Sequence, residues 1–128
     1  MDKFKTQLEL RNKETRTFYK LFIKKDNSLI SPYQFFEVKK PGYVTSEEPF
    51  KGESSDMIGK GAFHARVTEK ALDADEFFSE FFENKKKGTH IRLQITVRHR
   101  DLIAYGSQDD VAVKGYTITE DVWDSVFN

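Results

Sequence analysis

The chain has 128 residues, equal numbers of Lys/Arg and Asp/Glu, twelve Phe, five Tyr and no Cys. That length suits a single domain, 1–128, with a real and largely aromatic core. The composition excludes a disulfide framework or thiolate metal site, and zero net charge removes the simplest argument for nucleic-acid binding.

No stretch approaches the roughly 18 apolar residues of a membrane span. The opening MDKFKTQLEL lacks the apolar run of a signal peptide. The expected setting is therefore cytoplasmic, with no membrane partner. Charge is unevenly spread. Residues 1–30 carry eight Lys/Arg against four Asp/Glu, 47–83 carry four against ten, 84–100 carry six against none, and 101–128 carry one against six. Because the signs alternate along the chain, these blocks read as different faces rather than as one charged tail.

In chain order, Phe4, Thr6, Leu8 and Leu10 alternate with polar residues at the period of a half-buried strand. After a short polar connection, Thr15–Lys24 has Tyr19, Leu21 and Ile23 on one face and Phe18 and Phe22, with Lys20, on the other. Apolar residues on both faces predict a strand inside the sheet, paired as a hairpin with the first. Asp26-Asn27 signals a turn and Leu29-Ile30 a returning strand, which Pro32 ends. Phe35, Phe36 and Val38 are expected under the sheet, and Pro41-Gly42 turns the chain into Tyr43-Val44. Residues 45–60, TSEEPFKGESSDMIGK, show almost no periodicity and predict a mobile surface loop.

Ala62–Val67 predicts a strand with His64 and Arg66 on its polar side. Thr68 then suits the N-cap of an amphipathic helix, with Glu69 at its positive end, Lys85, Lys86 and Lys87 at its negative end, and Gly88 as its stop. Ala71, Ala74, Phe78, Phe81 and Phe82 follow helical spacing, with Phe77 at the edge; this stripe is expected to be core. Leu72 falls outside it. Ile91, Leu93, Ile95 and Val97 alternate with His90, Arg92, Gln94, Thr96 and Arg98 in the clearest strand. His99–Asp101 turns the chain, Leu102–Tyr105 is a short strand, and Val111–Ile118 is the last strand, with a bulge at Gly115. Thr119 caps a short final helix packed by Val122, Trp123, Val126 and Phe127. The predicted fold class is α+β: a mostly antiparallel sheet with one long helix packed on one face and a short C-terminal helix.

Chemistry is sparse. Three histidines without a ligand spacing, and no cysteine, predict no metal site and no cofactor. No nucleophile motif is present. Gly59-Lys60-Gly61 lacks the rest of a phosphate loop and reads as a turn. If the chain has a ligand site, the residues to hold it are Gly61, His64, Arg66, Arg92 and Gln94. Two glycines allow close backbone approach, and a guanidinium with an imidazole suits a small anion. The competing reading is a structural sheet face. The partner is then an unidentified protein or a small anionic ligand.

Tyr19-Lys20, Ser31-Pro32, Gly61-Ala62-Phe63-His64-Ala65, Ala71, Ile95-Thr96-Val97 and Ile103-Ala104-Tyr105-Gly106 together resemble a loose group of small uncharacterised proteins from bacteria and their viruses. The resemblance spans most of 18–119 and carries over no activity; the expected function is a small, non-enzymatic binding or accessory domain of a phage or mobile element. The layout is also faintly similar to ADP-ribosyltransferases, which implies nucleotide binding. Gln108-Asp109-Asp110 stands where that family has its catalytic glutamate, and Tyr19 where it has His or Arg, a departure that argues against transferase activity.

Overall fold

The computed structural model describes residues 2–3, 14–32, 36–46, 62–82 and 89–128. Its strands are β1 (Asp2–Lys3), β2 (Thr15–Lys25), β3 (Ser28–Ile30), β4 (Glu37–Val38), β5 (Gly42–Thr45), β6 (Phe63–Arg66), β7 (Thr89–Arg98), β8 (Leu102–Tyr105), β9 (Asp110–Val113) and β10 (Gly115–Ile118). Helix α1 is Leu72–Phe82 and α2 is Glu120–Phe127. Every recorded strand pairing is antiparallel. The fold is thus a sheet-rich α+β arrangement, although α1, at 11 residues, is little longer than α2, at 8. The expected strand over Phe4–Leu10, the 47–60 part of the predicted loop, Phe35 and the Lys85–Gly88 helix end lie outside the described residues.

The sheet runs β1-β8-β9-β6-β2-β7-β10-β5, with β3 and β4 attached beside β2. Strand β2 is central, as its two apolar faces predict. It pairs with β7 from Thr15↔Arg98 to Lys24↔Thr89, and with β6 at Tyr19↔Arg66. Asp26 takes a left-handed φ of 55° in the turn to β3, a conformation that a short polar side chain tolerates.

The expected last strand, Val111–Ile118, is not one strand with a bulge. It divides at Lys114: β9 pairs with β6 and β8, whereas β10 pairs with β7 and β5. Three strands of the sheet order separate these two pieces, yet one residue joins them. The sheet must therefore curl until its two sides meet at Lys114. The turn His99–Asp101 makes a second corner between β7 and β8. The Lys114 amide donates to the Asp101 carbonyl at 2.7 Å, tying the corners together.

Curling gives the sheet an interior. Phe18, Phe22, Phe63, Leu93, Ile95, Val97, Leu102, Val111, Val113, Tyr116 and Ile118 fill it, and Trp123 of α2 joins them. Phe63 meets Tyr116 edge-on at 5.1 Å. α2 starts as expected: Val122 N–H donates to the Thr119 hydroxyl at 3.3 Å. It is pinned to β2 by Lys24, whose Nζ donates to the Val126 carbonyl at 3.0 Å.

The interior also accounts for a correction. Ala74, Phe77 and Phe78 of the predicted stripe are not on the buried face of α1; the side chains of Phe81 and Phe82 lie outside the described residues. Leu72, Asp75 and Ser79 face the sheet, while Ala74 is exposed and Phe77 and Phe78 are 62% and 47% exposed. The sheet's own aromatics already fill its inside, so α1 lies on the outer face. There it meets the charged and polar residues Arg66, Arg92 and His90, set beside Leu21 and Ile23. Of the residues expected under the sheet, Val38 is buried, while Phe36 is 38% exposed with its ring packed edge-on against Phe63 at 5.3 Å.

Candidate functional site

The outer face beneath α1 gathers most of the residues singled out from the sequence. Strand alternation puts His64 and Arg66 of β6, Tyr19, Leu21 and Ile23 of β2, and His90, Arg92 and Gln94 of β7 on one side. The register sets their order. Tyr19 lies between Arg66 and Gln94, Leu21 opposite Arg92, and Ile23 opposite His90. β6 and β7 are therefore not neighbours, as a continuous anion patch would need; β2 runs between them.

Each cation on this face meets α1. Arg66 grips Asp75 with both arms of its guanidinium, Nε to Oδ2 at 3.0 Å and Nη2 to Oδ1 at 2.7 Å. Its third arm donates from Nη1 to the Gln108 carbonyl at 2.8 Å. Both partners are buried, at 8% and 2% exposure, so the paired geometry must offset their desolvation. Arg92 reaches Asp73 at 2.6 Å and Glu76 at 3.5 Å, and donates to the Glu69 carbonyl at 3.4 Å. The hydrogen bond with Asp73 raises its pKa. Ser79 hydroxyl lies 2.8 Å from His90 Nε2. One helix side, Leu72-Asp75-Ser79 at i, i+3 and i+7, thus supplies one apolar plug and two polar contacts.

His64 is half-buried, with Nδ1 3.7 Å from Asp75 Oδ2. Burial is the main cause that lowers its pKa to about 4; Asp75 works against the shift, and Lys20 and Arg66 add to it. The imidazole is neutral near pH 7, when it contributes no positive charge toward an anion.

Lys20 points to the opposite side, into the interior. Strands β2 and β6 share a single bridge, at Tyr19↔Arg66. Near it the Lys20 Nζ donates to the His64 carbonyl at 2.8 Å. The ammonium stands 5.6 Å from the Phe22 ring centre and 6.0 Å from that of Phe63. Burial lowers its pKa to about 8, partly offset by Asp75. Close by in the same interior, the buried Tyr116 hydroxyl has no hydrogen-bond partner among the described residues, and burial raises its pKa.

A second polar cluster marks the corner between β7 and β8. The Arg98 guanidinium stacks 4.4 Å from the Tyr43 ring centre, and the Tyr43 hydroxyl donates to Asp101 at 3.0 Å. Arg16 Nε donates to His99 Nε2 at 3.1 Å, which leaves the proton of a neutral His99 on Nδ1, toward Glu14 at 3.6 Å. Gly115 sits beside this cluster because a Cβ there would come within 2.6 Å of the Tyr43 hydroxyl.

Of the expected site, the structure brings His64 and Arg66 together and sets Arg92 across β2 from them. Gln94 is exposed. Gly61 lies outside the described residues. Sequence reasoning missed Asp75, Asp73, Glu76 and Ser79 as the groups these cations meet, and Lys20 as a buried ammonium. The i, i+3, i+7 spacing of Leu72, Asp75 and Ser79 was a usable signal, outvoted by four phenylalanines. Among the described residues no cluster of three His, Cys, Asp or Glu side chains could hold a metal ion, and no helix is long and apolar enough to cross a membrane. Compared with protein-family models, curated proteins and solved structures, the chain matches none.

Proposed function

We propose that the chain is a small domain that works by binding, and that it binds a protein through the outward side of α1. The observation that carries this reading is Phe77 and Phe78, 62% and 47% exposed, with their rings edge-to-face at 5.8 Å. Adjacent exposed aromatics on one helix are a costly surface unless it is used, because large apolar side chains in water favour association. The carboxylates that engage Arg66 and Arg92 point the same way, since an anion entering there would first have to displace Asp75 or Asp73.

The second reading is a nucleotide-binding, transferase-like domain using His64, Arg66 and Arg92. Its support is the convergence of His64 and Arg66 around Asp75. Thermal unfolding with a panel of nucleotides separates the two. A ligand present at 100 times its Kd adds about 2.7 kcal/mol to a native state that binds it. No shift is expected; a clear shift that Arg66→Lys abolishes would move the conclusion to the second reading. For the first, the wild-type chain and a Phe77→Ser/Phe78→Ser variant serve as paired baits in extract of the expressing cells. A protein captured by the wild type and lost with the variant is the expected result; identical captures overturn it.

A further inference from the structure

Helix α1 is strongly one-signed. Its eleven residues, LDADEFFSEFF, include four acids and no base. Asp75 is consumed within the fold by Arg66. The other three acids stay at least partly in water: the side chains of Asp73 and Glu80 are 63% and 66% exposed, and that of Glu76 is 34% exposed. On the helix wheel Asp73 and Glu80 lie four residues before and three after Phe77, hence on the same face and along one flank of the aromatic pair. Arg92 reaches Asp73 and Glu76 from the sheet side, and His90 stands 4.0 Å from Glu80. The outward rim of this face therefore presents aromatic rings and carboxylates.

We infer that the partner seated on this face is a basic amphipathic segment, one that places an aliphatic side chain on the Phe77–Phe78 pair and Lys or Arg against Glu80, Asp73 being already engaged by Arg92. This inference rests on the binding reading above and adds the chemistry of the partner. Apolar contact supplies most of the affinity, since buried aromatic anchors dominate interfaces. The carboxylates supply sign: like charges brought to the rim are repelled, and a guanidinium can lie on the face of a phenylalanine ring. An acidic or purely polar segment lacks one or the other.

The test uses the full chain and three labelled synthetic helices of one length, followed by fluorescence anisotropy: Lys/Leu amphipathic, Glu/Leu in the same pattern, and Lys/Ser. The Lys/Leu helix is expected to bind at least ten times more tightly than the other two. Phe77→Ser/Phe78→Ser should weaken it about tenfold or more, as loss of interface anchors does. Glu80→Lys, at an exposed position, should weaken it roughly two- to fivefold, the range for one exposed charge pair, and should lower the salt dependence. Circular dichroism of both variants checks that the fold is retained. Equal binding of the Glu/Leu helix, no binding of the Lys/Leu helix, or unchanged binding by the double Phe variant overturns the inference. If the paired baits differ but the Lys/Leu helix fails, the binding reading stands and only the basic partner falls. If the baits do not differ, the reading itself has failed.

Discussion

The two faces of β2 show how differently one strand can be used. Toward the interior, Phe18 and Phe22 pack with Phe63, Tyr116 and Trp123, and the buried ammonium of Lys20 is held among rings. Toward α1, Leu21 and Ile23 lie among Arg66, Arg92 and His90, whose partners are carboxylates and a hydroxyl of the helix. The inner face is held by apolar burial, which is non-directional. The outer face is held by directed charge pairs, which fix the rotation of α1 about its axis. A helix seated by Asp75 and Ser79 has no choice but to turn Phe77 and Phe78 outward. Phenylalanine content alone does not say which side of an element is inside; the surface it meets decides.

The contrast can be broken first at its strongest contacts. Phe22→Ala should cost about 3–5 kcal/mol in urea denaturation, the range for a buried aromatic. Asp75→Ala should cost a similar amount, about 3–5 kcal/mol, because it strands the buried Arg66 guanidinium. A loss below about 1 kcal/mol for Asp75→Ala would mean that α1 is not seated by that pair.

The pH dependence sharpens the same point. His64 has its pKa lowered to about 4 in the folded state, against about 6.5 unfolded. Between these values the unfolded chain binds the extra proton, so this group's contribution falls as pH drops from about 6.5 to about 4 and changes no further below that. The full effect is about 3 kcal/mol. Compared by urea denaturation across that window, the wild type should lose about 3 kcal/mol relative to His64→Gln as pH falls, whichever is the more stable at pH 7; parallel curves would refute the assignment.

Lys20 provides a smaller effect of the opposite character. Its ammonium is buried and its pKa lowered to about 8, so below that pH the protein carries the full cost of a desolvated charge. Lys20→Met should therefore stabilise at pH 7, by about 1 kcal/mol once the lost bond to the His64 carbonyl is counted. The advantage should shrink as pH rises from about 8 toward 10.5, where the folded wild type sheds the proton before the unfolded chain does. A destabilised variant would show that the bond to His64 outweighs desolvation.

The smallest effect belongs to the outward aromatics. Phe78→Ala should change stability by less than about 1 kcal/mol, since surface substitutions do little. A loss near that of Phe22→Ala would place the ring in the core after all.

Much of this architecture was legible in the residues. The period-two alternation of Thr15–Lys24 and of Ile91–Val97, the turn at Asp26-Asn27 and the cap at Thr119 are local signals, and each element forms where its own side chains and backbone preferences put it. For β2, β7 and α2 the sequence by itself determined where the element forms, and for the two strands which residues share a face, because alternation needs no knowledge of the partner. Tertiary structure alone decided which face of α1 is buried, that β2 lies between β6 and β7, and that Val111–Ile118 breaks at Lys114 to serve two sides of the sheet. Those choices depend on contacts between residues far apart in the chain, such as Arg66 with Gln108 and Arg92 with Asp73. A helix with two possible faces, one aromatic and one polar, takes the face that the sheet's exposed charges can satisfy, since a buried guanidinium left without a carboxylate would cost more than two phenylalanines left in water.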